Sequence, residues 1–163
     1  MTILGIDPGT SILGYAVIRK EADGRATLLE AHSIQPKKTN AADRLLAIHR
    51  AVITIIDIHR PQCIALEKIF FSKNIKTALR VAEARGVLLL TAKEKNIRVF
   101  EYTPSEVKLA VAGYGKADKQ QVKHMAERIL KVASLPNLDD VTDAIAIALT
   151  AFRERPYPSD RES

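Results

Sequence analysis

Four carboxylates in this sequence are placed where simple solvation is a poor account of them. Asp7 closes an alternating run, residues 2–7 (TILGID), and so ends a strand on a face that must otherwise be apolar. Glu67 follows directly on the apolar stretch Ile64-Ala65-Leu66. Asp140 and Asp143 stand three residues apart and lead into AIAIALTAF. On a helix that spacing separates two side chains by about 60°, so they share one face and can converge. Asp143 also borders the stripe of that helix that should be buried.

Carboxylates gathered at strand ends and on an adjoining apolar helix repel one another and lose hydration, which is costly unless a cation neutralises them. An oxygen donor set with no Cys or His beside it selects hard ions, Mg²⁺ or Mn²⁺, over zinc. That combination matches metal-assisted phosphoryl hydrolysis, in which two ions ~3.5–4 Å apart serve the attacking water and the leaving oxygen. Each residue also has a plainer reading. Asp7 before Pro8-Gly9 fits an Asx-type turn, and Glu67 a strand-end charge paired with Lys68. Asp139 and Asp140 fit helix N-terminal residues that complement the dipole. The plainer reading is accepted for Asp139. It is weakest for Asp143, and weaker for the set than for any single member.

The elements that would position these groups are legible from periodicity. Strands are expected at 2–7, 13–19 and roughly 26–34, joined by turns at Pro8-Gly9 and Ala22-Asp23-Gly24, as an antiparallel meander. Leu45, Leu46, Ile48, Val52, Ile53, Ile55 and Ile56 recur at helical spacing over about 41–59. Strands at 63–66 and 97–101 flank a helix at 74–95. Thr103-Pro104-Ser105-Glu106 reads as a capped helix start. A basic helix over about 118–132, a break at Pro136-Asn137 and a last helix over about 138–153 complete the order βββ-α-β-α-β-α-α-α. This predicts a mixed sheet covered by helices, with residues 1–153 forming a single domain and 154–163 a flexible polar tail.

Composition narrows the class. Among 163 residues, 47% are hydrophobic and 27% charged, which argues against disorder, collagen and coiled coil. One cysteine, Cys63, excludes an intramolecular disulfide and a Cys-based zinc cluster, and fits a reducing compartment. No run approaches the length of a membrane span, and MTILGID lacks the start of a signal peptide, so a cytoplasmic protein away from any membrane is expected. Net charge is +6, and residues 68–98 alone carry eight basic residues against two acidic ones, an excess equal to that of the whole chain. Charge segregated in this way suits a surface that meets a polyanion, although a solvated helix face would look the same.

Taken together, GIDPGTSILGYAVI, ALEKIFFSKN, ARGVLL, VFEYTPSEVK, GYGKADKQQV and DDVTDAIAIA resemble, in order and spacing, the RuvC-type Holliday junction resolvases over about residues 2–152. The resemblance implies a ribonuclease H-like α/β fold with a five-stranded mixed sheet. It also implies a homodimer whose subunits nick symmetry-related strands of four-way junction DNA, leaving 5′-phosphate and 3′-hydroxyl ends. Asp7, Glu67, Asp140 and Asp143 fall on the family's metal-binding carboxylates, which implies Mg²⁺, two ions per subunit, with Mn²⁺ able to substitute. Phe70 falls on its junction-contacting aromatic, and Lys108 and Lys119 on its phosphate-contacting lysines, Lys119 close enough to count with the catalytic set. Cooperation with the branch-migration proteins RuvA and RuvB is implied as well.

The residues themselves are consistent with those roles. Phe70 and Phe71 sit between Lys68 and Lys73, the arrangement of a base-stacking wedge, with Phe71 expected in the core. Lys119 and Lys123 are one helical turn apart and can face one strand of backbone. Lys73, Lys76 and Arg80 are further candidate DNA contacts. His49, His59 and His124 read as structural. Three rivals remain. The first is an ATP-binding protein of the actin–hexokinase–chaperone group, suggested by Asp7-Pro8-Gly9-Thr10, although the chain holds only one such loop and no Walker A sequence. The second is a non-catalytic DNA-binding module with structural acids. The third is a nuclease of the same chemistry acting on structured RNA.

Overall fold

The structure is a computed structural model and describes residues 1–9, 11–36, 40–68 and 75–152, the side chains of 75–77 excepted. The expected order of elements is the observed one. β1 (Thr2–Pro8), β2 (Leu13–Lys20) and β3 (Ala26–Ile34) are followed by α1 (Ala41–His59), β4 (Cys63–Glu67), α2 (Ile75–Glu94) and β5 (Arg98–Tyr102). Then come α3 (Pro104–Ala112), α4 (Lys119–Leu130) and α5 (Asp139–Ala151). The five strands form one mixed sheet in the order β3-β2-β1-β4-β5. The meander β1–β2–β3 is antiparallel, and β4 and β5 add in parallel beyond β1. This is the five-stranded mixed α/β sheet that the resemblance implies.

Alternation along each strand sorts the side chains onto two faces. Leu4, Ile6, Val17, Ile64 and Leu66 pack with Ile48, Val52 and Ile56 of α1 and with Ala84, Leu88 and Ala92 of α2. Ile3, Ala16, Ile18, Cys63 and Ala65 pack with Val107 and Val111 of α3, Val122 and Ala126 of α4, and α5. Each Leu or Ile fully buried this way contributes about 1.5–3 kcal/mol. The most buried helix is α5, whose residues from Ala144 to Ala151 are all buried, so it lies as a central layer against the sheet.

Local signals fix where the helices begin. Asn40 accepts from the Asp43 N–H at the start of α1. Thr103 and Glu106 form the reciprocal capping box that TPSE suggested. Asp118 and Gln121 do the same for α4. The end of α4 differs from expectation. It stops at Leu130, before the Pro136-Asn137 break, because Lys131 turns left-handed (φ 55°) and its N–H closes onto Arg128 and Glu127 carbonyls. The Leu135 N–H then bonds to Glu127 Oε1, which ties the linker back to the helix. The tail expected at 154–163 lies outside the described residues.

Candidate active site

Strand register brings the first two carboxylates together. The parallel ladder pairs Gly5 with Ala65 and Ile6 with Leu66, and one residue further along stand Asp7 and Glu67. By alternation both belong to the face of Ile3, Cys63 and Ala65, the face that α5 covers. Residues more than fifty apart in the chain thus end adjacent strands side by side.

Two glycines let α5 deliver the other pair. A β-carbon on Gly5 would fall 2.4 Å from the Ala144 carbonyl oxygen and 2.7 Å from the Ala148 β-carbon. A β-carbon on Gly14 would fall 2.0 Å from the Asp140 carbonyl oxygen. Only bare backbone on β1 and β2 permits so close an approach, so the first turns of α5 lie directly over the end of β1. A β-carbon on Gly9 would be 3.6 Å from Asp140 Oδ1, which puts that carboxylate over the turn that follows Asp7.

The electrostatics record the gathering. Burial, then repulsion from Glu67, Asp143 and Asp140, pushes the Asp7 carboxyl up to about 7, with Lys119 opposing. Burial and the Asp143 charge raise Glu67, against Lys119 and Lys108. Burial also raises Asp143, with Lys119 opposing. Lys119 Nζ donates to Asp139 Oδ2 at 2.9 Å and to Asp143 Oδ2 at 3.3 Å. Those bonds, that to Asp139 first, hold the Lys119 ammonium above its ordinary pKa.

Glu67, Asp143, Lys108 and Lys119 line one cleft of about 310 Å³. A second cavity of about 510 Å³ shares Lys119 and Asp143 and runs on past Lys123, His124 and Asn137. Lys123 Nζ pairs with Asn137 Oδ1 there. His124, read from sequence as structural, lines this cavity with its side chain 71% exposed. Of the others read as structural, His49 bonds to Thr91 and His59 to Glu30.

As posed, no three His, Cys, Asp or Glu side chains among the described residues close around a single point. The donor set nonetheless fits a hard divalent cation. It offers carboxylate oxygens only, half-buried and mutually repelling, with Lys119 and Lys108 as the opposing charges. Arg80 is exposed on α2. Phe70, Phe71, Lys73 and Thr10 lie outside the described residues, as does the side chain of Lys76.

Residues 3–151 match the family described as crossover junction endodeoxyribonuclease RuvC. A relative of that name from Halothermothrix orenii is 45% identical over 91% of this chain and 90% of its own. The chain belongs to the RuvC family. RuvC of Thermus thermophilus, a solved structure, is 36% identical, with a TM-score of 0.86 over 93% of this chain and 94% of that one. A second structure, T. thermophilus RuvC in complex with Holliday junction substrate, is 34% identical over the same shares, with a TM-score of 0.84.

For a RuvC-family chain, sequence reasoning missed three features of the site. Asp139 is not simply a dipole-complementing residue, because it holds Lys119. Gly5 and Gly14 set the height of α5. Arg85, within the ARGVLL motif, reaches the main chain of Glu67. A glycine inside an alternating strand is a signal of close backbone approach and pointed toward the second feature. The first and third depend on tertiary contacts that leave no local trace.

Proposed function

We propose that this chain resolves Holliday junctions by paired symmetric nicks, acting on four-way junction DNA as a homodimer. It is an endodeoxyribonuclease by family, and the observation that carries the mechanistic reading is the convergence of Asp7 and Glu67 with the first turns of α5. In this reading Asp7, Glu67, Asp140 and Asp143 hold two Mg²⁺ ions, or Mn²⁺ in their place. Divalent cations held there would supply Lewis-acid polarisation of the scissile phosphate and a lowered pKa for the attacking water.

The chain's own groups do the rest. Asp7, whose carboxyl is pushed up to about 7, would have to release its proton to hold a cation. Lys119 offers its ammonium to charge that develops on the phosphoryl oxygens. A P–O bond forms to the water oxygen and the bond to the 3′ oxygen breaks. The departing 3′ oxygen takes a proton, which leaves 5′-phosphate and 3′-hydroxyl ends. Lys108 and Lys123 meet flanking phosphates along the two cavities, and Lys73, Lys76 and Arg80 are further DNA contacts in this reading. Phe70 wedges against bases at the exchange point. Backbone contact and junction shape supply selectivity.

The homodimer is supported by α2. Leu79, Leu89 and Leu90 are exposed on it, 59%, 38% and 57% respectively. A β-carbon on Gly86 would meet nothing within 4 Å, so the stripe is open to a second helix. RuvA and RuvB as partners, and a cytoplasmic site of action, complete the reading. No helix among the described residues is long and apolar enough to cross a membrane.

The test is a cleavage assay with Mg²⁺ on a synthetic four-way junction, a plain duplex of the same sequence and a structured RNA. Paired nicks in the junction with ligatable 5′-phosphate ends, little cutting of duplex or RNA, and loss of nicking in Asp7→Asn are expected. Preferential cutting of RNA, or binding of the junction with no nick at any Mg²⁺ or Mn²⁺ concentration, would overturn the reading.

A further inference from the structure

Glu67 sits where the sheet runs out. The β4–β5 ladder ends at the pair Glu67–Tyr102. One residue further along β5, the Thr103 N–H is bonded to Glu106 Oε2 in the cap of α3. The Glu67 carbonyl takes its hydrogen from elsewhere. Arg85 Nη1 donates to it at 3.1 Å, across eighteen residues of sequence. The other arm of the same guanidinium, Nη2, pairs with Glu101 Oε1.

Glu101 stands opposite Leu66 in the β4–β5 register, next to the position of Glu67. Arg85 is set between Ala84 and Leu88, both buried in the core with Leu66, and its own side chain is 15% exposed. The guanidinium therefore approaches from behind the sheet, on the α2 side, while the Glu67 carboxylate projects on the α5 side. A rigid planar fork bonded at once to the β4 main chain and to β5 fixes where the Glu67 Cα lies and which way it faces.

We propose that Arg85 is a positioning residue for Glu67, holding its carboxylate in the place where it must ligate a cation. The proposal rests on the metal-site reading above and deepens it. Partners that orient metal ligands in this way are worth about 10–100-fold in metal affinity when removed.

The experiment measures Mn²⁺ binding to the full chain by the electron paramagnetic resonance of free Mn²⁺, for wild type, Arg85→Ala, Arg85→Lys and Leu88→Ala. Nicking of a four-way junction against Mn²⁺ concentration is followed in parallel, with thermal melting and with junction binding in EDTA. Arg85→Ala is expected to weaken Mn²⁺ binding about tenfold or more and to raise the half-activating Mn²⁺ concentration by the same factor. Its junction binding in EDTA should match wild type. Arg85→Lys should fall between, since one ammonium can serve the carbonyl but lacks the fork. Leu88→Ala should lower the melting temperature and leave Mn²⁺ binding unchanged.

Wild-type Mn²⁺ affinity in Arg85→Ala, or an equal loss in Leu88→Ala, overturns the proposal. Should Arg85→Ala fail to fold, Arg85→Lys and Glu101→Gln decide it by the same two readings. If wild type itself binds no Mn²⁺, the metal-site reading falls first, and that outcome is distinct from failure of Arg85 alone.

Discussion

Leu4, Ile6, Ile64 and Leu66 point to α1 and α2, while Ile3, Gly5, Asp7, Ala65 and Glu67 alternate with them toward α5. On the first face the charges that rim the core meet opposite charges. Arg44 pairs with Glu83 at 2.8 Å and Lys95 with Asp57 at 2.6 Å, each joining α1 to α2 or its C-terminal end. On the second face like charges are forced together, and two glycines bring α5 down onto them. The first face is self-sufficient, and its partly exposed pairs are each worth on the order of 1 kcal/mol. The second keeps a burial and a mutual repulsion that raise the Asp7, Glu67 and Asp143 carboxyls together. Side-chain parity thus puts the α1–α2 core on one side of the sheet and the carboxylate cluster on the other.

That contrast can be broken in five ways, beginning with the largest effect. Asp143→Asn should lower junction nicking about a thousandfold, the loss of several kcal/mol of charge stabilisation, while gel-shift binding of the junction persists. Ile64→Ala, on the opposite face, should cost about 2–5 kcal/mol in urea unfolding yet leave nicking per folded molecule near wild type. The third is a pH effect. Folded Asp7 titrates near 7 and unfolded Asp near 3.8, so the native state holds the extra proton between them. Stability without divalent cations therefore falls as pH rises from 4 through 7. Asp7→Asn should remove that contribution and be more stable than wild type by about 4 kcal/mol at pH 8, with the difference nearly gone by pH 4. Gly5→Ala should cost about 1–3 kcal/mol by overpacking. Unlike Ile64→Ala, it should also slow nicking by roughly 10–100-fold, because α5 is displaced from Asp7. Last, Asp139→Asn removes an exposed partner of Lys119 and should change the nicking rate by no more than about fivefold.

Much of this was legible in the sequence. Alternation marked β1, a short apolar run marked β4, TPSE marked the start of α3, and the three-residue spacing of Asp140 and Asp143 marked a shared helix face. The adjacency of Asp7 and Glu67 was readable only as a chemical demand. The parallel pairing of β1 with β4 that produces it is a contact across sixty residues, with no local signature. The same holds for Arg85. A basic residue in a basic helix looks like a solvated or DNA-facing charge until the fold shows it bonded behind β4. Asp139 and Asp140 are neighbours with similar sequence surroundings, and only the packing of α5 sends one to Lys119 and the other toward Gly9. The end of α4 was misplaced because a lysine taking a left-handed cap gives no warning, whereas a proline further on does.

The central claim is that four distant acidic side chains form one divalent-cation site that cuts junction DNA. Its most direct test counts Mn²⁺ ions bound per subunit and measures junction nicking in the same samples, for wild type and for Asp7→Asn, Glu67→Gln, Asp140→Asn and Asp143→Asn. Wild type should bind two ions, and each substitution should reduce binding and nicking together. A variant of the four that keeps both wild-type Mn²⁺ binding and wild-type nicking contradicts the account.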